Sequence, residues 1–345
     1  MEAIHRQGIW AAETLQGWLG GLQGAVLFLS WLGDPKTSFL VCFPVAYALN
    51  KRVGVCVLWT AILTEWLNLT CKWLMFGERP FWWIHESGVY IEPHLPRTQQ
   101  FFSTCETGPG SPSGHAMVTA GTWWVMMTSF SNFLRSRTGS WLTSSIPILL
   151  YLTLLLGIGI SRIFILAHFP HQVLAGTVTG AALSFLLTKR VPENKSFLYY
   201  AATSGGLLLT ALGLHGLLQY LGMDLSWSIV LATKWCARPD WIRLDTAPFT
   251  SLSRDAGAAL GLGLGSSLLS SAQEERQSWG VKAASSALAL FLLRVLDQVP
   301  GPTHSKLLFY AVSYLKNALG PFTVMAVIPW LMRSLAGNQA TKKKQ

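Results

Sequence analysis

Charge is what this chain has least of. Of its 345 residues only 12% are Asp, Glu, Lys or Arg, about half the share in a soluble domain, while 51% are apolar and mean hydropathy is +0.38. An ordinary soluble globule is excluded, and lipid is the expected solvent. A clean secretory leader is missing as well, because Glu2 and Glu13 interrupt the opening segment and no basic start leads into an apolar run. Five cysteines do not make a disulfide scaffold. Eight histidines come without a short His/Cys/Asp cluster at ligand spacing, so no metal and no other cofactor is expected. The net charge of +10 does not signal nucleic acid, since the basic residues are scattered among apolar segments. No internal repeat or low-complexity linker divides the chain, so a single membrane domain, 1–345, is expected.

What the chain does have is apolar runs, each near the 20 or so residues that cross a bilayer. The pattern predicts an all-α, polytopic membrane helical bundle of about nine transmembrane helices, at 27–49, 53–75, 114–134, 141–161, 170–187, 197–221, 252–272, 281–299 and 306–334. The first is interrupted by Gly33-Asp34-Pro35-Lys36, and either spans whole or begins after Pro35 behind an interfacial segment. Sixteen Trp fit helix ends at membrane interfaces. Lys51, Arg52, Arg135, Arg137, Lys189, Arg190, Lys195 and the tail Lys342 to Lys344 all fall on one side, which the positive-inside rule makes the cytosol. Loops 76–113, 162–170 and 222–251 then face the opposite, oxidising side. Cys105 and Cys236 lie there and are free to pair; Cys42, Cys56 and Cys71 read as small core residues. Of two sequons, Asn68-Leu69-Thr70 falls inside a span and Asn194-Lys195-Ser196 in a cytosolic loop, so neither is expected to be glycosylated.

Three patches on the non-cytosolic side concentrate the unusual residues. Lys72 and Arg79-Pro80 put two cations seven apart, which on one helix would share a face. Gly108-Pro109-Gly110-Ser111-Pro112-Ser113-Gly114-His115 builds a tight loop into a span, with Ser113 where an N-cap belongs and unpaired N–H groups suited to phosphate. Ser161-Arg162 and His168 flank the next turn. Each patch alone reads as interfacial snorkelling or helix capping. Their order, spacing and common side do not.

Lys-x6-Arg-Pro, Pro-Ser-Gly-His and Ser-Arg-x5-His together resemble the signature of the type 2 phosphatidic acid phosphatase superfamily. The segments from Cys105 to His115 and from Ser161 to Gln172 look like the glucose-6-phosphatase family within it. Gly33-Asp34-Pro35-Lys36, Arg79 to Gly88 and Ser251-Leu252-Ser253-Arg254-Asp255 look most like that family's ubiquitous branch. The resemblance covers most of the chain, with core motifs over 72–172 and additional helices over 197–334. It implies a phosphatase-like helical core and hydrolysis of sugar 6-phosphates, glucose 6-phosphate or 1,5-anhydroglucitol 6-phosphate, at the lumenal face of the endoplasmic reticulum. Functional coupling to a glucose-6-phosphate transporter follows, because substrate is made in the cytosol.

Carried onto this sequence, the motifs make His168 the nucleophile and His115 the proton donor. Lys72, Arg79 and Arg162 surround the phosphate, with Ser113 and Gly114 completing the cradle. The wider superfamily has Asp where Gln172 stands; a Gln carbonyl there is expected to accept the imidazole's hydrogen bond without adding charge. Asp34 is either a sugar contact or a helix cap, and Glu106 a sugar contact or loop structure. Trp82 and Trp83 either stack on the sugar or anchor at the interface. Arg294 and Asp297 read as an intramembrane pair, while Lys316 needs a partner. The C-terminal lysines are either a di-lysine retrieval signal or a positive-inside anchor. Two rival readings remain, a lipid phosphate phosphatase of the same superfamily and a non-catalytic transporter or scaffold.

Overall fold

The computed structural model describes residues 1–91, 93–193, 195–243, 248–269, 278–302 and 304–334. Among these the chain is helical, and the one β-type pairing is an isolated bridge between Glu106 and Arg243. The helices are α1 (Glu2–Leu19), α2 (Gln23–Leu32), α3 (Pro35–Thr37), α4 (Phe43–Leu49), α5 (Lys51–Met75), α6 (Pro80–Glu86), α7 (Gly114–Thr138), α8 (Trp141–Phe164), α9 (Pro170–Leu187), α10 (Phe197–Tyr220), α11 (Trp227–Trp235), α12 (Pro248–Leu269), α13 (Trp279–Gln298) and α14 (Lys306–Phe322). Asn194, the segment 270–277 and the C-terminal lysines lie outside the described residues, and with them one sequon and the tail signal.

Five described helical stretches are long and apolar enough to cross a membrane: Lys51–Glu86, Trp141–Phe164, Phe197–Tyr220, Trp279–Gln298 and Lys306–Ser334. Glu2–Leu32 and Pro35–Leu49 make a sixth if their 59° bend is one broken span. The break falls at Gly33-Asp34, where Asp34 Oδ1 accepts from the Lys36 amide at 3.0 Å and Pro35 opens the next turn. Helices α7, α9 and α12 stand where spans are expected; α12 and the first half of α7 are buried in protein, whereas α9 packs one face and exposes Leu174, Val178, Phe185 and Leu186 on the other. Gly176 and Gly180 of α9 press on the backbone of Ser113 and Met117, and Gly257 and Gly261 of α12 on that of Tyr314 and Ala318. Small residues let helix backbones approach closely, which is how bundles pack in lipid. Around them α8 and α10 expose Leu149, Leu152, Leu156, Leu209 and Leu217, as lipid-facing helices do.

The main core joins α4, α5, α10, α12 and α13 through residues such as Phe43, Leu58, Trp59, Tyr200, Leu262 and Leu293. A second cluster, of Ile9, Phe81, Trp82, Trp83, Leu166, Phe169 and Ala232, packs α1, α6 and α11 over the loop before α9. There His5 stacks on Phe169 at 4.1 Å. Trp82 and Trp83 are therefore buried core residues that line no part of the site cavity, neither stacking platform nor exposed anchor.

Membrane-embedded polar groups find partners. Arg294 and Asp297 approach to 3.9 Å. Lys316 donates to the Asp297 and Val299 carbonyls at 3.1 and 3.2 Å, satisfying acceptors at the end of α13. Cys42 and Cys56 are buried and Cys71 half-buried. Asn68 of the first sequon is buried within α5.

Candidate active site

The ends of five helices meet at one end of the bundle, and capping chemistry sets each of them. Phe76, in the left-handed region at φ 48°, stops α5 just beyond Lys72. The chain then turns through Gly77 and Glu78, Arg79 is extended, and Pro80 starts α6. Lys72 and Arg79 thus do not share a helix face; the turn between them overrides the seven-residue spacing. Ser113 caps α7, its Oγ accepting from the Ala116 amide at 3.4 Å, which sets His115 in the first turn. After α8, Leu166 at φ 60° reverses the chain so that the His168 amide bonds back to the Arg162 carbonyl at 3.2 Å.

Arg79 and Arg162 are fully buried. Arg79 donates through Nε to the Gly108 carbonyl at 2.7 Å and through Nη1 to that of Ala167 at 3.0 Å, and pairs with Glu106 at 2.9 Å. Arg162 pairs with the other oxygen of Glu106 and donates to Ser30 at 2.8 Å. One carboxylate therefore bridges two guanidinium groups. Burial opposes ionisation of Glu106 most, but Arg162, Arg79 and His115 together hold its pKa well below the ordinary carboxylate value. The role open to Glu106 in the sequence resolves into an ion-pair bridge at the centre of the site.

His168 lies against the same arginines. Its Nδ1 donates to the Gly110 carbonyl at 2.7 Å, which leaves Nε2 with its lone pair, 3.5 Å from Arg79 Nη1. Burial first, then Arg79 and Arg162, push its pKa well below the ordinary histidine value, so the ring is neutral. Gln172 does not touch this ring. Its Oε1 accepts from the Phe169 amide at 3.1 Å and its Nε2 donates to the Glu78 carbonyl at 2.7 Å, so its amide reaches back to cap the start of α9. The bond expected from Gln172 comes from a backbone carbonyl because Gly110, tied to Gly77 at 2.6 Å, reaches the ring first. A Cβ on Gly110 would strike Glu78 and Gln172.

His115 stands between two carboxylates, with Nδ1 3.7 Å from Glu106 and Nε2 3.9 Å from Asp34. Asp34 thus caps α3 and faces the site at once. Its Oδ2 also takes Arg243 at 2.9 Å. Arg243 escaped the sequence reading; its one signal was its loop, which a Cys105–Cys236 disulfide ties beside Glu106. The Arg243 amide bonds to the Cys105 carbonyl at 3.1 Å.

A cavity of about 60 Å³ opens beside these groups, walled by Lys72, Glu106, Gly114, His115, Asp34 and Arg243 and continuing to Asn68, Glu65, Ser251 and Arg254. Arg79 and Arg162, paired with Glu106, do not line it, and neither do His168 and Ser113. Three cations and two imidazoles at helix ends are an anion-transfer arrangement.

The stretch holding all these helix ends except Asp34 and Arg243, residues 53–196, matches the PAP2 superfamily, which places the molecule among the helical phosphatases of that class. Over 342 residues the chain is 48% identical to glucose-6-phosphatase 3 of Bos taurus and to that of Homo sapiens, covering 99% of this chain and 98% of each relative. It is 37% identical over 362 residues to glucose-6-phosphatase 2 of Homo sapiens, covering 100% of both chains. The chain belongs to the glucose-6-phosphatase family and is a phosphatase. No solved structure matches it.

Proposed function

We propose that the protein hydrolyses sugar 6-phosphates, glucose 6-phosphate and 1,5-anhydroglucitol 6-phosphate among them, through a phosphohistidine on His168. The observation that carries this is the His168 ring, held by Gly110 with Nε2 unprotonated and 3.5 Å from Arg79 Nη1. Phosphoryl transfer is chiefly positioning and charge stabilisation. Lys72, Arg79 and Arg162 supply positive charge, with the Ser113-Gly114 helix start beside them. A phosphate dianion, carrying more charge than a carboxylate, competes with Glu106 for the guanidinium N–H groups and draws Arg79 and Arg162 into contact.

The Nε2 lone pair then attacks phosphorus; an N–P bond forms as the ester P–O bond breaks. His115 gives its proton to the departing sugar oxygen. In the second step His115 takes a proton from water, the water oxygen attacks phosphorus, the N–P bond breaks, and inorganic phosphate leaves. Asp34 and Glu106 orient and charge-balance the His115 ring. Gln172 supports the loop that aims His168.

The nine-span reading puts this end of the bundle in the lumen of the endoplasmic reticulum and the C-terminus in the cytosol. The Cys105–Cys236 disulfide at the site end supports an oxidising compartment there, and Lys51, Arg52, Arg135 and Arg137 gather at the opposite helix ends. Substrate supply then depends on a glucose-6-phosphate transporter, and opening vesicles with detergent changes apparent activity. Acid quenching with labelled glucose 6-phosphate tests the chemistry: label on His168 is expected, and label on His115, or none, removes the nucleophile assignment.

A further inference from the structure

The cavity beside the phosphate-binding groups continues along one face of α5, from Lys72 through Leu69 and Asn68 to Glu65, and Arg254 and Ser251 of α12 close its far end. At 1.5 Å per residue, Lys72 to Glu65 is about 10 Å along the helix, the reach of a hexose bearing phosphate on its sixth carbon. At the far end Arg254 Nε donates to Glu65 Oε2 at 3.0 Å while Nη2 meets Oε1, and the two side chains are 8% and 7% exposed. A buried ion pair costs desolvation that mutual attraction offsets only in part. A tail-binding pocket for a lipid would be walled with apolar side chains throughout, whereas this cavity, alongside Pro35, Leu69 and Val118, presents the Glu65 carboxylate, the Arg254 guanidinium, the Asn68 amide and the Ser251 hydroxyl. Such a set matches vicinal hydroxyl groups, each of which donates and accepts.

We propose that the Glu65–Arg254 pair is the hexose subsite of this enzyme, the carboxylate accepting from ring hydroxyls and the guanidinium donating to them. The proposal rests on the sugar-phosphate reading above and adds where selectivity comes from. Lys72, His115 and His168 lie within the superfamily match at 53–196, and so does Glu65, but Arg254 and Ser251 lie beyond it. The phosphate chemistry thus comes from the shared core, and sugar recognition from a core carboxylate joined to a helix added after it. A site built to hydrogen-bond hydroxyl groups discriminates strongly against ligands without them, because its own polar groups are then left unpaired.

The test compares purified wild type with Glu65→Gln and with the double variant Glu65→Gln/Arg254→Gln. The double variant keeps shape while removing both charges, so it preserves the test if the single one leaves a buried guanidinium uncompensated and fails to fold. For each, KM and kcat are measured on glucose 6-phosphate and on p-nitrophenyl phosphate, which has no sugar hydroxyls, together with inhibition by inorganic phosphate. The expected result is a rise in KM for glucose 6-phosphate of about tenfold or more, with KM for the aryl ester and the phosphate inhibition constant moving less than about twofold. A parallel loss on both esters makes the pair structural and overturns the proposal; unchanged kinetics on both places the sugar elsewhere and overturns it as well. Failure of the underlying reading shows separately, as wild type that cleaves the aryl ester but not glucose 6-phosphate.

Discussion

Two buried carboxylates hold arginines in this protein, and they are held differently themselves. Glu106 rides on a loop beside a disulfide and bridges Arg79 and Arg162, one negative charge against two positive ones. Glu65 sits inside α5 and meets Arg254 of α12, with the buried Asp255 carboxyl beside the same pair and all three groups on long helices. The first arrangement leaves positive charge over for a dianion and can yield to it. The second is locked between two helices and, on the proposal above, reads the hydroxyl groups of an uncharged polyol. On the two proposals above, catalysis and selectivity divide between a loop end and a helix face.

The sharpest break of this comparison lies on the catalytic side. His168→Ala and Arg79→Ala are each expected to cut phosphate release on every ester about 10³-fold or more, since groups acting as one unit fail together. Full activity in purified His168→Ala protein would falsify the assignment. Glu106→Gln comes next. It strips the counter-charge from two buried guanidinium groups, a loss of about 3–5 kcal/mol in stability where one partner of a buried pair is removed. Sugar and aryl esters should lose activity together, unlike the selective loss expected at Glu65; a sugar-only effect would make the two carboxylates equivalent.

Smaller effects sharpen the picture. Opening the Cys105–Cys236 disulfide by the double Ser variant should lower the melting temperature, with about 2–5 kcal/mol at stake, and should reduce activity several-fold by loosening Arg243 beside Asp34. Unchanged kinetics would detach that loop from the site. For pH the sign follows from His168. Its pKa is lowered, so the nucleophilic neutral ring is lost only as pH falls through a value well below the ordinary 6.5. Between pH 7.5 and 6.5 its contribution to kcat/KM should stay flat, which a profile with p-nitrophenyl phosphate checks; an acid limb near 6.5 assigned to His168 by labelling would contradict it. Smallest of all, chelators should leave turnover unchanged, because side-chain cations supply the positive charge; loss restored by added metal would overturn this.

The phosphate end was legible because its information is local. A Gly/Pro loop, an N-cap serine and a proline-opened helix each declare a backbone shape within a few residues, and three of them in order name the chemistry. The seven-residue spacing of Lys72 and Arg79 misled for the same reason, since a helix period holds only while the helix does. Gln172 was placed on the correct element but given the wrong partner, because nothing in the sequence says that Gly110 comes closer to the imidazole. The helices α9 and α12 showed up as apolar runs, yet only packing revealed how closely their glycines press on neighbouring backbones.

By itself, then, the sequence determined a chain of long apolar helices and the motifs of a phosphatase family, since composition and short motifs act over distances the backbone controls directly. Tertiary structure alone decided that Glu106 bridges two arginines, that Arg243 reaches Asp34 across 209 positions, and that Arg254 reaches Glu65 across 189. Such pairings arise from how helices pack, and packing depends on the shape of every neighbouring side chain at once rather than on any pattern readable along the chain.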